Sequence, residues 1–170
     1  MNKALLIILC CLFSFPGVAA SKIAILDFEL LDLTLDPRIP KELERTASVK
    51  PMLEQELGKA GYNIIQIPDD KQKQATQGVG YLFDHNDDAA KLGKNAGADY
   101  VLVGRLHKPS FLFAYLMGHL IRVSDGKLLG NYISETKGGD EKLTRKGVES
   151  LAVKIDQDLD KTYTPPEPKR

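Results

Sequence analysis

Residues Gly97–Tyr132 read GADYVLVGRLHKPSFLFAYLMGHLIRVSDGKLLGNY, and the reading of this stretch decides the fold. Tyr100 to His107 is a strand, Lys108-Pro109-Ser110 turns it, and Phe111 to Val123 returns as the longest strand of the chain. That returning strand is apolar on both faces. Phe111, Phe113, Tyr115 and Met117 alternate with Leu112, Ala114 and Leu116, so helices are expected on both sides of the sheet. Asp125-Gly126 is the strongest hairpin signal, because both residues accept the positive φ of a tight turn, and it feeds Lys127 to Glu135 as a further strand.

Upstream, Lys22 to Phe28 (KIAILDF) is a nearly unbroken apolar run, the mark of a parallel strand buried on both faces. Glu29-Leu30-Leu31-Asp32-Leu33 and the prolines of Asp36-Pro37-Arg38-Ile39-Pro40 read as an irregular connection. From about Lys41 to Ala60 the pattern is helical, with Val49, Met52, Leu53, Leu57 and Ala60 on one face. Pro51 leaves two alternatives, a helix starting near Val49 or a longer one kinked at the proline. Gly61 caps it, and Tyr62 to Ile67 is the second strand.

Asp69 to Gln77 is a polar connection with at most a short helix, and Gly80-Tyr81-Leu82-Phe83 places apolar residues where a loop is expected. Asp84, Asn86 or Asp87 then caps a helix with Ala89, Leu92, Gly93 and Ala96 on its inner face. Val148, Leu151, Ala152, Ile155 and Leu159 mark a final helix. The order β-α-β-α-β-β-β-α, with right-handed crossovers, gives an α/β fold. It is a three-layer sandwich on a mixed five-stranded sheet ordered 2-1-3-4-5, whose last strands are antiparallel.

The first twenty residues carry Lys3, an apolar run from Ala4 to Phe15, a break at Pro16-Gly17 and small residues at Val18-Ala19-Ala20. These are the parts of a cleavable signal peptide, cut after Ala20. The residues before Cys10 and Cys11 are not those of a lipid-attachment site, so a lipoprotein is not expected. The expected domains are a leader over 1–20, one α/β domain over 21–163 and a disordered proline-rich tail over 164–170. Both cysteines fall in the leader, which excludes thiol chemistry and disulfides from the mature chain and suits a bacterial periplasm. Charge is balanced at 23 Lys+Arg against 23 Asp+Glu with no long basic run, so nucleic acid is not an expected partner.

Under this topology the crevice at the carboxyl ends of strands one and three is the default ligand position. Asp27, Glu29 and Asp32 would line it from one side, and Arg105, His107, Lys108 and Ser110 from the other. Such a set would bind a zwitterionic ligand or close into a structural ion-pair cluster. As a catalytic arrangement, Glu29 or Asp27 would serve as general base beside His107. His85, His107 and His119 are spaced too far apart along the strands for one metal ion. No nucleophile elbow, phosphate loop or dinucleotide fingerprint is present, and no metal or cofactor is expected. Tyr81, Phe83, Phe111 and Phe113 are apolar in excess of a minimal core, and form a candidate partner surface.

Lys22-Ile-Ala-Ile-Leu-Asp-Phe-Glu-Leu, Gly80-Tyr-Leu-Phe-Asp-His and Gly104-Arg-Leu-His-Lys-Pro-Ser-Phe resemble the signatures of a family of uncharacterised exported bacterial proteins, defined as a domain of unknown function. More distantly, the strand ending in Asp27-Phe28 and the GADYVLVG stretch before an Asp-Gly hairpin are similar to the TolB amino-terminal domain and to CsgG-like and LpoB-like envelope proteins. That resemblance implies a non-enzymatic partner of the cell envelope. The leading expectation is therefore a periplasmic binding or accessory protein whose partner is an envelope protein. A small-molecule sensor or carrier using the crevice is the alternative, and a hydrolase using Asp27 or Glu29 with His107 comes third.

Overall fold

The computed structural model describes residues 20–35, 39–136 and 140–160. Residues 1–19 of the expected leader and the whole proline-rich tail lie outside these residues.

A single mixed sheet carries the fold. Strand β1 (Lys22–Ile25) lies between β3 (Asn63–Ile65) and β4 (Tyr100–Lys108), parallel to both. β5 (Tyr115–Arg122) and β6 (Leu128–Glu135) follow as antiparallel neighbours. The order β3-β1-β4-β5-β6 matches the order expected from the crossover rule. One strand departs from the expectation. Residues Glu29–Asp32 are no irregular connection but a further strand, β2, parallel to the second half of β4, with Glu29 opposite Arg105 and Asp32 opposite Lys108.

The break between β1 and β2 is a bulge. Ile25 pairs with Leu102 and Glu29 with Arg105, so three residues, 26–28, face two, Val103 and Gly104. A one-residue insertion flips every later side chain to the other face. Ile25 and Phe28 therefore lie in the same core cluster. Gly104 is the counterpart of this bulge, since a methyl group there would sit 2.2 Å from the Phe28 ring. The ring occupies the space a side chain would need.

Helix α1 (Pro40–Lys59) begins on a proline, whose missing N–H has no partner at that position anyway, and runs through Pro51 without ending. Of the two alternatives, the single long helix holds. It packs with α5 (Glu141–Asp158) on one face of the sheet, burying Val49, Leu53, Leu57, Val148, Leu151 and Ile155 against Ile23, Leu102, Leu106 and Leu120. Asp140 caps α5, its carboxylate accepting from the Lys142 amide at 2.6 Å. The opposite face carries α4 (Asn86–Ala96) and the one-turn helix α3 (Tyr81–Asp84), and its core is Ala24, Leu26, Phe83, Leu92, Val101 and Ile121. Three layers result.

Three local expectations change. Residues 81–84 are helical rather than loop, whereas 69–75 form a short helix of the kind the polar connection allowed, α2 (Asp69–Ala75). None of Asp84, Asn86 or Asp87 caps α4: His85 takes the cap position without a side-chain bond. The fourth strand of the sequence reading starts at Tyr115 instead of Phe111. The Ser110 hydroxyl accepts from the amides of Leu112 and Phe113 at 3.3 and 3.2 Å, which folds this stretch into a turn before the strand can begin.

Candidate functional site

β4 decides where the expected site residues go, because side chains alternate across a strand. Lys108 points to the α1 side with Leu106. Arg105 points to the α3 side. The second half of β4 is paired along its length with β2, so no crevice opens between the two strands. The residues expected to face each other across it separate into distinct clusters.

On the α1 side, four buried charges alternate in sign. Lys108 Nζ lies 3.2 Å from Asp32 Oδ2 and 3.4 Å from Glu42 Oε1, and Arg45 Nη1 lies 3.2 Å from Glu42 Oε2. Arg45 also donates to the hydroxyls of Thr144 and Thr136, each at 2.9 Å. Burial pushes the Asp32 carboxyl up, but bonds from the Thr34 hydroxyl and amide and from Lys108 outweigh it and hold the group below the usual carboxylate range. The chain of charges locks the start of α1 and the start of α5 to the ends of β2 and β4.

Above these charges is the tip of the molecule, where β2 and β4 end and α1, β5 and α5 begin. A cavity of about 230 Å³ opens there, with Lys108, Glu42 and Arg45 at its base and Ser110, Phe111 and Phe113 on its wall. Its rim is open, with Lys41 on one side and apolar side chains on the other. Phe111, Leu112 and Phe113 are 63%, 73% and 42% exposed, and Leu33, Leu35 and Leu43 are exposed as well. The Leu33 amide donates to the Lys108 carbonyl at 3.0 Å, which sets the leucine loop directly beside the phenylalanine turn. The cavity is smaller than the roughly 300–1,000 Å³ of small-molecule pockets. It has room for one side chain.

On the opposite face, Glu29, Arg105 and His119 grip the segment from Gly80 to Phe83. Glu29 Oε2 accepts from the Gly80 amide at 2.5 Å. The Arg105 guanidinium lies 4.3 Å from the centre of the Phe83 ring, whose stacking distance to His119 is 3.7 Å. Burial pushes the His119 imidazole down against the opposing bond to the Phe83 carbonyl, at 3.0 Å from Nδ1. Phe83 is buried and Tyr81 half-buried, the latter stacked on His85 and bonded through its hydroxyl to Asp88 at 2.6 Å. Phe83 is thus internal packing and Tyr81 is partly covered by its own helix turn, whereas Phe111 and Phe113 are surface. His107 keeps its Nδ1 buried without a partner among the described residues.

Asp27 belongs to neither cluster. Its carboxylate takes Lys50 Nζ at 2.9 Å, and its backbone is held by Gln72, which accepts from the Asp27 amide at 2.9 Å and donates to its carbonyl at 3.1 Å. Gln72 so anchors α2, none of whose residues is buried. Between α2 and α4 lies a cavity of about 600 Å³, floored by Ile67, Ala75, Leu92 and Ala96. The sequence reading did not single it out, although a helix with almost no apolar side chain, set on an apolar one, is a readable sign of an unfilled gap.

Among the described residues no group of three His, Cys, Asp or Glu side chains is placed to hold a metal ion. No helix among them is long and apolar enough to cross a membrane.

One family profile, DUF3280, described as "Protein of unknown function (DUF2380)", matches residues 21–155. The chain belongs to that family. No curated protein matches the sequence. Solved structures share the fold. The PelC dodecamer from Paraburkholderia phytofirmans superposes with a TM-score of 0.52 at 17% identity, covering 83% of this chain and 88% of that one. TolB from Acinetobacter baumannii gives 0.51 at 17% identity over 85% of this chain and 29% of TolB. Lipoprotein GNA1162 from Neisseria meningitidis gives 0.50 at 16% identity over 82% of this chain and 99% of that one. The family and the TolB-like architecture implied by the sequence are both shown.

Proposed function

We propose that this DUF3280 member is a non-catalytic accessory protein of the bacterial cell envelope that binds a protein partner through its apolar tip. The observation that carries the proposal is the exposure of Phe111, Leu112 and Phe113 around a cavity the size of one side chain. Exposed aromatics next to a small pocket are the anatomy of an interface anchor, since binding energy concentrates in a few anchors, often aromatic, seated in desolvated pockets. Ser110 holds the turn in that shape through its two amide bonds. The buried charges beneath it give the cavity a rigid base.

The envelope setting is supported by the signal-peptide pattern of residues 1–20 and by the kinship of fold with TolB, PelC and a lipoprotein. The dodecameric state and the lipid attachment are named for those relatives alone. The hydrolase alternative fares poorly on geometry. The Asp27 and Glu29 carboxylates are engaged by Lys50 and Gly80, and His107 Nδ1 has no partner among the described residues.

The test is photo-crosslinking in living cells from an unnatural residue at position 112, with position 58 at the far end of α1 as control. A discrete adduct with an envelope protein at 112 and none at 58 is expected. Adducts from 58 alone would reverse the assignment of the binding surface.

A further inference from the structure

We infer that the cavity between α2 and α4 is a second, independent site, and that it takes a small amphipathic anion with an apolar body. At about 600 Å³ it falls within the range of small-molecule pockets. Its floor is apolar, with Ile67 and Leu92 buried beneath it and Ala75 and Ala96 on its two helical walls. The described residues leave the gap unfilled, because the only apolar side chain that α2 (DDKQKQA) offers to it is Ala75. α2 nevertheless stands in place, because Gln72 bonds both backbone groups of Asp27. A helix fixed over an apolar floor that it cannot cover leaves a site open to an apolar guest.

The rim sets the head group. Lys71 is the only charged residue lining the cavity, beside the carboxamides of Gln66, Gln74 and Asn95. Its ammonium lies 3.9 Å from Asp70, and both side chains are more than half exposed. So loose a surface pair is cheaply exchanged for a ligand's anionic group. The lining holds no aromatic residue on which a nucleobase would stack. An apolar floor under one cation and three carboxamides fits a compact acyl or alkyl chain ending in a carboxylate or a phosphate.

Isothermal titration of the mature protein with decanoate, decyl phosphate and uncharged decanol tests this. Saturable binding of at least one anion, with decanol about tenfold weaker, is expected, and the preferred anion separates carboxylate from phosphate. Lys71→Gln should weaken the anion about tenfold and leave decanol unchanged. Ala75→Phe or Ala96→Phe should abolish binding of both while the unliganded melting temperature holds, and Phe111→Ser at the tip should leave binding intact. No saturable binding to the wild type overturns the inference. So does anion binding that survives both cavity-filling variants, or an affinity indifferent to Lys71.

Discussion

Lys108 bridges two buried carboxylates, Asp32 and Glu42, and its replacement is the sharpest test at the level of single side chains. Lys108→Met would leave Asp32 buried against Thr34 alone and Glu42 dependent on Arg45. Breaking a buried ion pair from one side costs about 3–5 kcal/mol, measurable as a lowered midpoint in urea. The pH dependence has a defined sign. The Asp32 carboxyl is held below its unfolded value, so its contribution is present at neutral pH and disappears as pH falls through the folded value. The gap between wild type and Lys108→Met should therefore be constant near neutrality and narrow below about pH 4. Gly104→Ala is the second test at this scale. Its methyl group would meet the Phe28 ring at 2.2 Å, and overpacking of that kind costs about 1–3 kcal/mol. Phe28→Leu should restore part of the loss when combined with it, a non-additivity that separates local clash from general destabilisation.

At the scale of elements, the short helix α3 is held by three strand residues, and it should loosen when Gly80 is replaced. Gly80 has φ +87°, and a methyl group there would approach Arg105 Nη2 to 2.7 Å. Gly80→Ala should therefore speed hydrogen exchange at the amides of 80–85 by about tenfold or more and leave α5 amides unchanged, since local openings and global unfolding are separate events. Legibility in the sequence divides along the same line. The sheet order was readable, because crossover handedness and the apolar runs at 22–28 and 100–107 admit few topologies. β2 was not, because ELLD carries two charges and precedes two prolines, Pro37 and Pro40, and only its pairing with β4 makes it a strand. The start of β5 was missed because Phe-Leu-Phe has strong β propensity and only the Ser110 bonds override it. The separation of Arg105 from Lys108 was available in principle, since odd and even residues of one strand face opposite ways. The bulge that puts Asp32 beside Lys108 was not available, because it depends on Phe28 fitting over Gly104.

For the whole molecule, two surfaces stand apart. The tip joins exposed apolar side chains to a cavity for one more, and the α2–α4 side holds the larger cavity. Exposed apolar residues add little to folding, so Phe111→Ser/Leu112→Ser/Phe113→Ser should shift the urea midpoint by no more than a change of about 1 kcal/mol. An interface, in contrast, loses most of its affinity when its anchors are truncated. The direct measurement is the crosslink from position 58 and from position 112 in cells, repeated for the latter in a background carrying Phe111→Ser and Phe113→Ser. A single protein adduct at 112, absent at 58 and lost in the serine background while the protein stays folded, is the predicted result. An adduct at 112 that survives both serines, or partners captured only from position 58, would contradict the assignment of the tip as the binding surface.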